Sequence, residues 1–130
     1  MLIPNKFLKL DYNPTQDILF LEWPNMHDYT LPEVQYIINE VVDAVRNYDI
    51  KRILTNTRQS AVTIPMEDYA KVINQLALEL ATTRLQKFAR LQSPDPKRNT
   101  IASNAAALVV GSITYRSFDN VEEAIAWLTE

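Results

Sequence analysis

Three observations predict an α/β fold, a sandwich of about four helices on a five-stranded mixed sheet with an N-terminal antiparallel hairpin strand. Apolar runs of strand length alternate with stretches of helical periodicity in the order β-β-α-β-α-β-α-β-α. The first two runs are joined by the short polar connector Asn13-Pro14-Thr15-Gln16, as in a hairpin. The seven prolines avoid every predicted strand and helix interior, so local and global signals agree. There is no repeat, linker or low-complexity stretch, and residues 1–130 read as one domain.

Phe7–Asp11 reads as the first strand and Ile18–Trp23 as the second, whose near-continuous apolar run predicts burial on both faces. Thr30-Leu31-Pro32-Glu33 is a capping box with proline in the first turn. Val34, Ile37, Ile38, Val41, Val42 and Val45 then recur on one helical face, and the helix is expected to end near Tyr48. Arg52–Asn56 is the third strand, parallel to the second by a right-handed crossover. Thr63-Ile64-Pro65 introduces the second helix with Thr63 as its cap, and Glu67 and Asp68 complement its positive end. Met66, Tyr69, Val72, Ile73, Leu76, Ala77 and Leu80 form its apolar face.

Gln86–Gln92 is the fourth strand, and Ser93-Pro94-Asp95-Pro96 an abrupt exit loop. An alanine-rich third helix is expected over Thr100–Val110, with Gly111 as its C-terminal cap. Ile113–Phe118 is the fifth strand, and Asp119-Asn120-Val121-Glu122 a second capping box opening a short last helix. The first strand is expected at the sheet edge, guarded by Lys6 and Lys9 alone, which predicts self-association as a homodimer.

Composition removes several chemistries. With no cysteine there are no disulfides, thiolate metal sites or cysteine nucleophiles. The single histidine, His27, leaves no multi-histidine zinc site, and the single glycine, Gly111, leaves no phosphate loop or dinucleotide fingerprint. The chain reads as a non-enzyme without metal or cofactor: His27-Asp28 has the chemistry of a proton-transfer pair, but adjacent loop residues more often point apart, no nucleophile is marked, and no catalytic residue is assigned. The N-terminus has no signal-peptide run and no stretch is long and apolar enough to span a membrane, so a cytoplasmic location is expected.

The net charge of −3 is unevenly spread. Residues 1–50 hold three bases and eight acids, residues 51–98 nine bases and four acids, and residues 99–130 one base and four acids. The acidic total, with no basic stripe interleaved with aromatics, argues against nucleic acid as a partner. The basic middle third reads either as solvated faces that offset the acidic ends or, more sharply, as a local anion site. In a parallel sheet a ligand crevice lies beyond the strand C-termini, where the loops carry Arg58, Ser60, Lys97 and Arg98. These four are the candidate ligand-binding residues, for a phosphate, a carboxylate or a lipid headgroup aided by two helix N-termini. Arg90, within the fourth strand, is expected to be half-buried and paired with a carboxylate. Trp127, one position off the apolar stripe of the last helix, is expected to pack at a helix edge.

The order of elements, the string Arg52-Ile53-Leu54-Thr55-Asn56-Thr57 and the ending Tyr115-Arg116-Ser117-Phe118-Asp119 through Ala124-Ile125-Ala126-Trp127-Leu128 together resemble the STAS superfamily, in particular its short stand-alone bacterial branch. The resemblance implies a regulatory module that acts by binding another protein or itself. In signalling members a serine within an Asp-Ser-Ser/Thr-Gly type motif is phosphorylated after the third strand. Here the stretch reads Asn56-Thr57-Arg58-Gln59-Ser60-Ala61-Val62-Thr63, with hydroxyls at Thr57, Ser60 and Thr63 but no Asp-Ser pair and no glycine, so no residue is assigned to a phosphoswitch.

Overall fold

A computed structural model describes residues 1–130. The chain runs β1 (Leu2–Ile3), β2 (Lys9–Asn13), β3 (Ile18–Glu22), α1 (Leu31–Asn47), β4 (Arg52–Asn56), α2 (Met66–Leu80), β5 (Lys87–Leu91), α3 (Pro96–Ala107), β6 (Thr114–Phe118) and α4 (Val121–Leu128). All six strands lie side by side in sequence order. The β1/β2 and β2/β3 pairs are antiparallel, and β3 through β6 are parallel.

Crossovers of one hand that keep advancing in one direction stack their helices on one face. Accordingly α1, α2 and α3 pack side by side over one face of the sheet, while α4 folds back over β4, β5 and β6 on the other. The strands alternate between these layers with period two. Leu19, Leu21 and Ile53 join the large core under α1 and α2, whereas Ile18, Leu54, Ala89, Leu91 and Phe118 meet Ala124 and Leu128 of α4. Trp127 packs at the edge of α4, its ring 5.6 Å from Phe118 and under the Lys87 ammonium at 5.0 Å.

Six strands replace the five expected. The added strand is β1, whose Leu2 and Ile3 face Asp11 and Leu10 of β2. Two residues ahead of Pro4 carry no readable alternation, so only the pairing reveals them. β2 begins at Lys9 rather than Phe7 because Asn5 Oδ1 accepts from the amides of both Phe7 and Leu8 and turns the chain there. β1 pairs with Leu10 and Asp11 of the Phe7–Asp11 run and takes the outermost place in the sheet.

The helix ends differ from expectation in four places. Thr30 and Glu33 do form the reciprocal capping box of α1. Thr63, however, does not cap α2, whose N-cap is Pro65; its hydroxyl accepts instead from the Asp28 amide at 2.8 Å. α3 begins at Pro96 rather than Thr100, with Asp95 as cap to the Lys97 amide, and it ends at Ala107. Proline in the first turn of a helix has no donor to lose there, so Asp95-Pro96 starts a helix instead of prolonging a loop. Gly111 lies beyond the Leu108 cap, in the following turn, at φ +95°. α4 is capped by Asn120, one residue later than Asp119.

Candidate functional site

The sheet register arranges two cross-strand rows on the face covered by α1, α2 and α3. One row, Leu19–Ile53–Phe88–Tyr115, is apolar and lies toward the strand N-termini. The next, Leu21–Thr55–Arg90–Ser117, lies toward the strand C-termini and puts a guanidinium on the helix-facing side of the sheet. Thr55 is 1% and Arg90 4% exposed.

Above these rows, between β4, β5, β6 and helices α2 and α3, lies a cavity of about 80 Å³. Its origin is in the sequence of α3. Ala102, Ala105 and Ala106 line it, and their single methyl groups leave empty the space that α2, with Ile73, Leu76 and Leu80, does not reach. Sixteen of the twenty lining residues are hydrophobic, and the polar ones are Thr55, Thr57, Arg90 and Arg98. No carboxylate lines the cavity.

Both arginines are deep in the protein. Arg98, 3% exposed, donates from Nη1 to the Ser60 carbonyl at 2.6 Å and from Nε to the Tyr69 hydroxyl at 3.2 Å, and its guanidinium lies 5.3 Å from the Tyr69 ring. Arg90 donates from Nη1 to Asn99 Oδ1 at 2.7 Å, and its Nη2 is buried with no partner. The ion pairs of the chain join Met1 to Asp11, His27 to Asp28, Lys51 to Asp17 and Asp49, and Arg84 to Asp49. None includes Arg90 or Arg98. The carboxylate expected beside Arg90 is thus replaced by the neutral amide of Asn99, and the arginine is buried rather than half-buried. Two guanidinium groups therefore sit in the interior without a counter-charge, although burying an unpaired ion costs several kcal/mol.

The loops at the strand C-termini border this end of the cavity through Met26 and Thr57 and are tied to one another. Met26 bridges to Val62, the Met26 amide donates to the Ala61 carbonyl at 2.9 Å, and Ser60 Oγ donates to the Pro24 carbonyl at 2.8 Å. Asn99 ties α3 to β5, since its side chain accepts from the Ser93 amide at 2.9 Å and donates to the Ser93 carbonyl at 2.8 Å.

The four residues singled out from the sequence separate in space. Ser60 and Arg98 are brought together under the loops. Arg58 and Lys97 are exposed, and the Arg58 Nε is engaged with Asn56 Oδ1 at 3.2 Å. Starting α3 at Pro96 decides this split. Successive helical residues point about 100° apart, and with Arg98 turned inward, Lys97 is left in solvent. His27 and Asp28 form an exposed pair at 3.4 Å. Of the three hydroxyls in the stretch compared with the phosphoserine motif, Thr57 is buried and donates to the Leu91 carbonyl, Ser60 donates to Pro24, and Thr63 accepts from Asp28.

Arg90, Thr55 and Asn99 were not among the candidates. The readable signal was the spacing Phe88-x-Arg90, which puts the charge on the same sheet face as an aromatic core residue. No helix of the protein is long and apolar enough to cross a membrane. Comparison with protein-family models, curated proteins and solved structures returns no match.

Proposed function

We propose that the protein is a binding domain for a small organic anion, which it holds in the interior between the sheet and α2 and α3. The observation that carries this reading is the pair of buried arginines in a cavity that no carboxylate lines, neither of them in an ion pair and one with an unpartnered Nη2. Arg90 Nη2 and the Arg98 guanidinium supply charge-assisted donors. The Thr55 hydroxyl, already accepting from Trp23 Nε1, has its own proton to donate. An anion seated there offsets the cost of burying both cations, so binding is coupled to stability.

This deepens the anion site expected at the strand C-termini and moves it from exposed loops into the core, with Arg98 retained and Ser60 left to hold Arg98 through its backbone carbonyl. It also changes the expected salt response, since buried charges are screened far less than exposed ones. The lining offers no histidine, carboxylate or cysteine as a base or nucleophile, so the site favours binding over catalysis. In the wider reading that the STAS resemblance supports, a ligand-loaded domain of this kind acts as a regulatory module toward another protein or a second copy of itself.

The test is the melting temperature at constant ionic strength in acetate, hexanoate, phosphate and chloride. An anion that binds only the folded state raises the melting temperature progressively with concentration. The reading expects such a rise for at least one organic anion, and its loss in Arg98→Met. Identical melting in all four salts contradicts it.

A further inference from the structure

The cavity is polar at one end only. Arg90, Arg98 and Thr55 gather beneath the loops at the strand C-termini, whereas the row holding Phe88 and Tyr115 lies one register step deeper. The helices repeat that gradient. On α2 the cavity is lined first by Tyr69, which accepts from Arg98, and further along by Leu76 and Leu80. On α3 it is lined by Arg98 in the first turn and by Ala106 near the last. A bare inorganic anion would use the charged end and leave the apolar end empty.

Resting on the anion-binding reading above, we infer that the ligand is an amphipathic monocarboxylate. Its carboxylate lies at Arg90 and Arg98, and its apolar body runs between Phe88 and the alanines of α3. Two separate arginines, each with part of its donor set already used on Asn99, Ser60 and Tyr69, suit the two oxygens of a carboxylate. A phosphate monoester would match both guanidinium charges, but its tetrahedral head with a third terminal oxygen takes up more of the roughly 80 Å³ than a planar carboxylate does. Size sets the limit on the body. One buried water, a single heavy atom, needs about 10–15 Å³, so a cavity of about 80 Å³ holds roughly five to eight heavy atoms, a carboxylate with about two to five further carbons, and hexanoate is at the upper limit.

Calorimetric titration with acetate, butanoate and hexanoate, with hexan-1-ol and phosphate alongside, tests the assignment on the whole protein. Each methylene buried should tighten binding about fourfold, so hexanoate should bind at least tenfold more tightly than acetate, and also more tightly than hexan-1-ol and phosphate. Ala106→Leu, which fills the apolar end and leaves the arginines in place, should erase the advantage of hexanoate over acetate. Equal affinities across the carboxylates, an undiminished hexanoate advantage in Ala106→Leu, or a preference for phosphate would overturn the amphiphile and leave the anion site standing. Hexan-1-ol binding as tightly as hexanoate would overturn the role of the arginines, and silence from every compound would overturn both readings.

Discussion

The Arg90 guanidinium makes a single hydrogen bond, from Nη1 to Asn99 Oδ1 at 2.7 Å, and that partner is neutral. Arg90 belongs to the sheet and Asn99 to α3, so the contact joins the two walls of the cavity and holds a positive charge between them. That charge has no counter-ion among the ion pairs of the chain.

Asn99→Asp supplies the missing counter-charge at nearly constant shape. The carboxylate pairs with Arg90, and the side chain loses its donor to the Ser93 carbonyl at 2.8 Å and to Gln92 Oε1 at 3.5 Å. Hexanoate affinity is expected to fall at least tenfold in the variant, measured calorimetrically at neutral pH. Undiminished affinity would show that Arg90 is not where the anion sits.

Asn99→Ala removes the hydrogen bond without replacing the charge. Nη1 of Arg90 then joins Nη2 in being buried and unsatisfied, and the Ser93 amide loses its acceptor. A buried donor without a partner costs about 1–3 kcal/mol, so a loss of about 2–3 kcal/mol is expected in urea unfolding. A change below about 0.5 kcal/mol would mean that water replaces the amide.

The capping box of α1 gives a prediction independent of the site. Thr30→Ala removes the acceptor for the Glu33 amide and should cost about 1 kcal/mol. Glu33 is held below its ordinary pKa, chiefly by accepting from the Thr30 amide and further by the Thr30 hydroxyl. A lowered carboxylate contributes stability above its unfolded value, and that contribution disappears as pH falls through the folded one. The acid limb of the stability profile should therefore flatten in Glu33→Gln.

Tyr12 governs the alkaline side. Burial, the hydrogen bond to Asp17 Oδ1 at 2.8 Å and the charges of Asp17 and Asp49 push its phenol up to about 12. A raised pKa means that the folded state favours the neutral phenol, so this contribution is complete below the ordinary value of 10.0 and is lost as pH rises toward about 12. Stability between those limits should fall more steeply in the wild type than in Tyr12→Phe, read by urea midpoints. Parallel profiles would place the phenol in solvent.

Much of the fold was readable because patterning and punctuation coincide along the chain. Arg52–Asn56 stands where the apolar run put it, and α1 begins at the Thr30 box. β1 was not readable, since two residues have no period. The start of α3 was misplaced because Pro94 and Pro96 both look like chain breaks, although Asp95-Pro96 is also a cap followed by a first-turn proline. That displacement by four residues matters more for the site than for the fold. It turned Arg98 from a solvent loop into the core and separated it from Lys97. The absence of a carboxylate beside Arg90 is a fact of tertiary packing, and no local pattern encodes it.

The most direct test of the central claim is one paired measurement on Arg90→Met, its unliganded stability and its hexanoate affinity. Methionine keeps much of the volume without the charge, and exchanging a buried ion for an apolar side chain is often neutral or stabilising. The account predicts a variant that melts at or above the wild-type temperature without ligand and no longer binds hexanoate. A variant that is several kcal/mol less stable, or that binds hexanoate as the wild type does, would contradict it by making Arg90 a structural residue rather than a ligand-binding one.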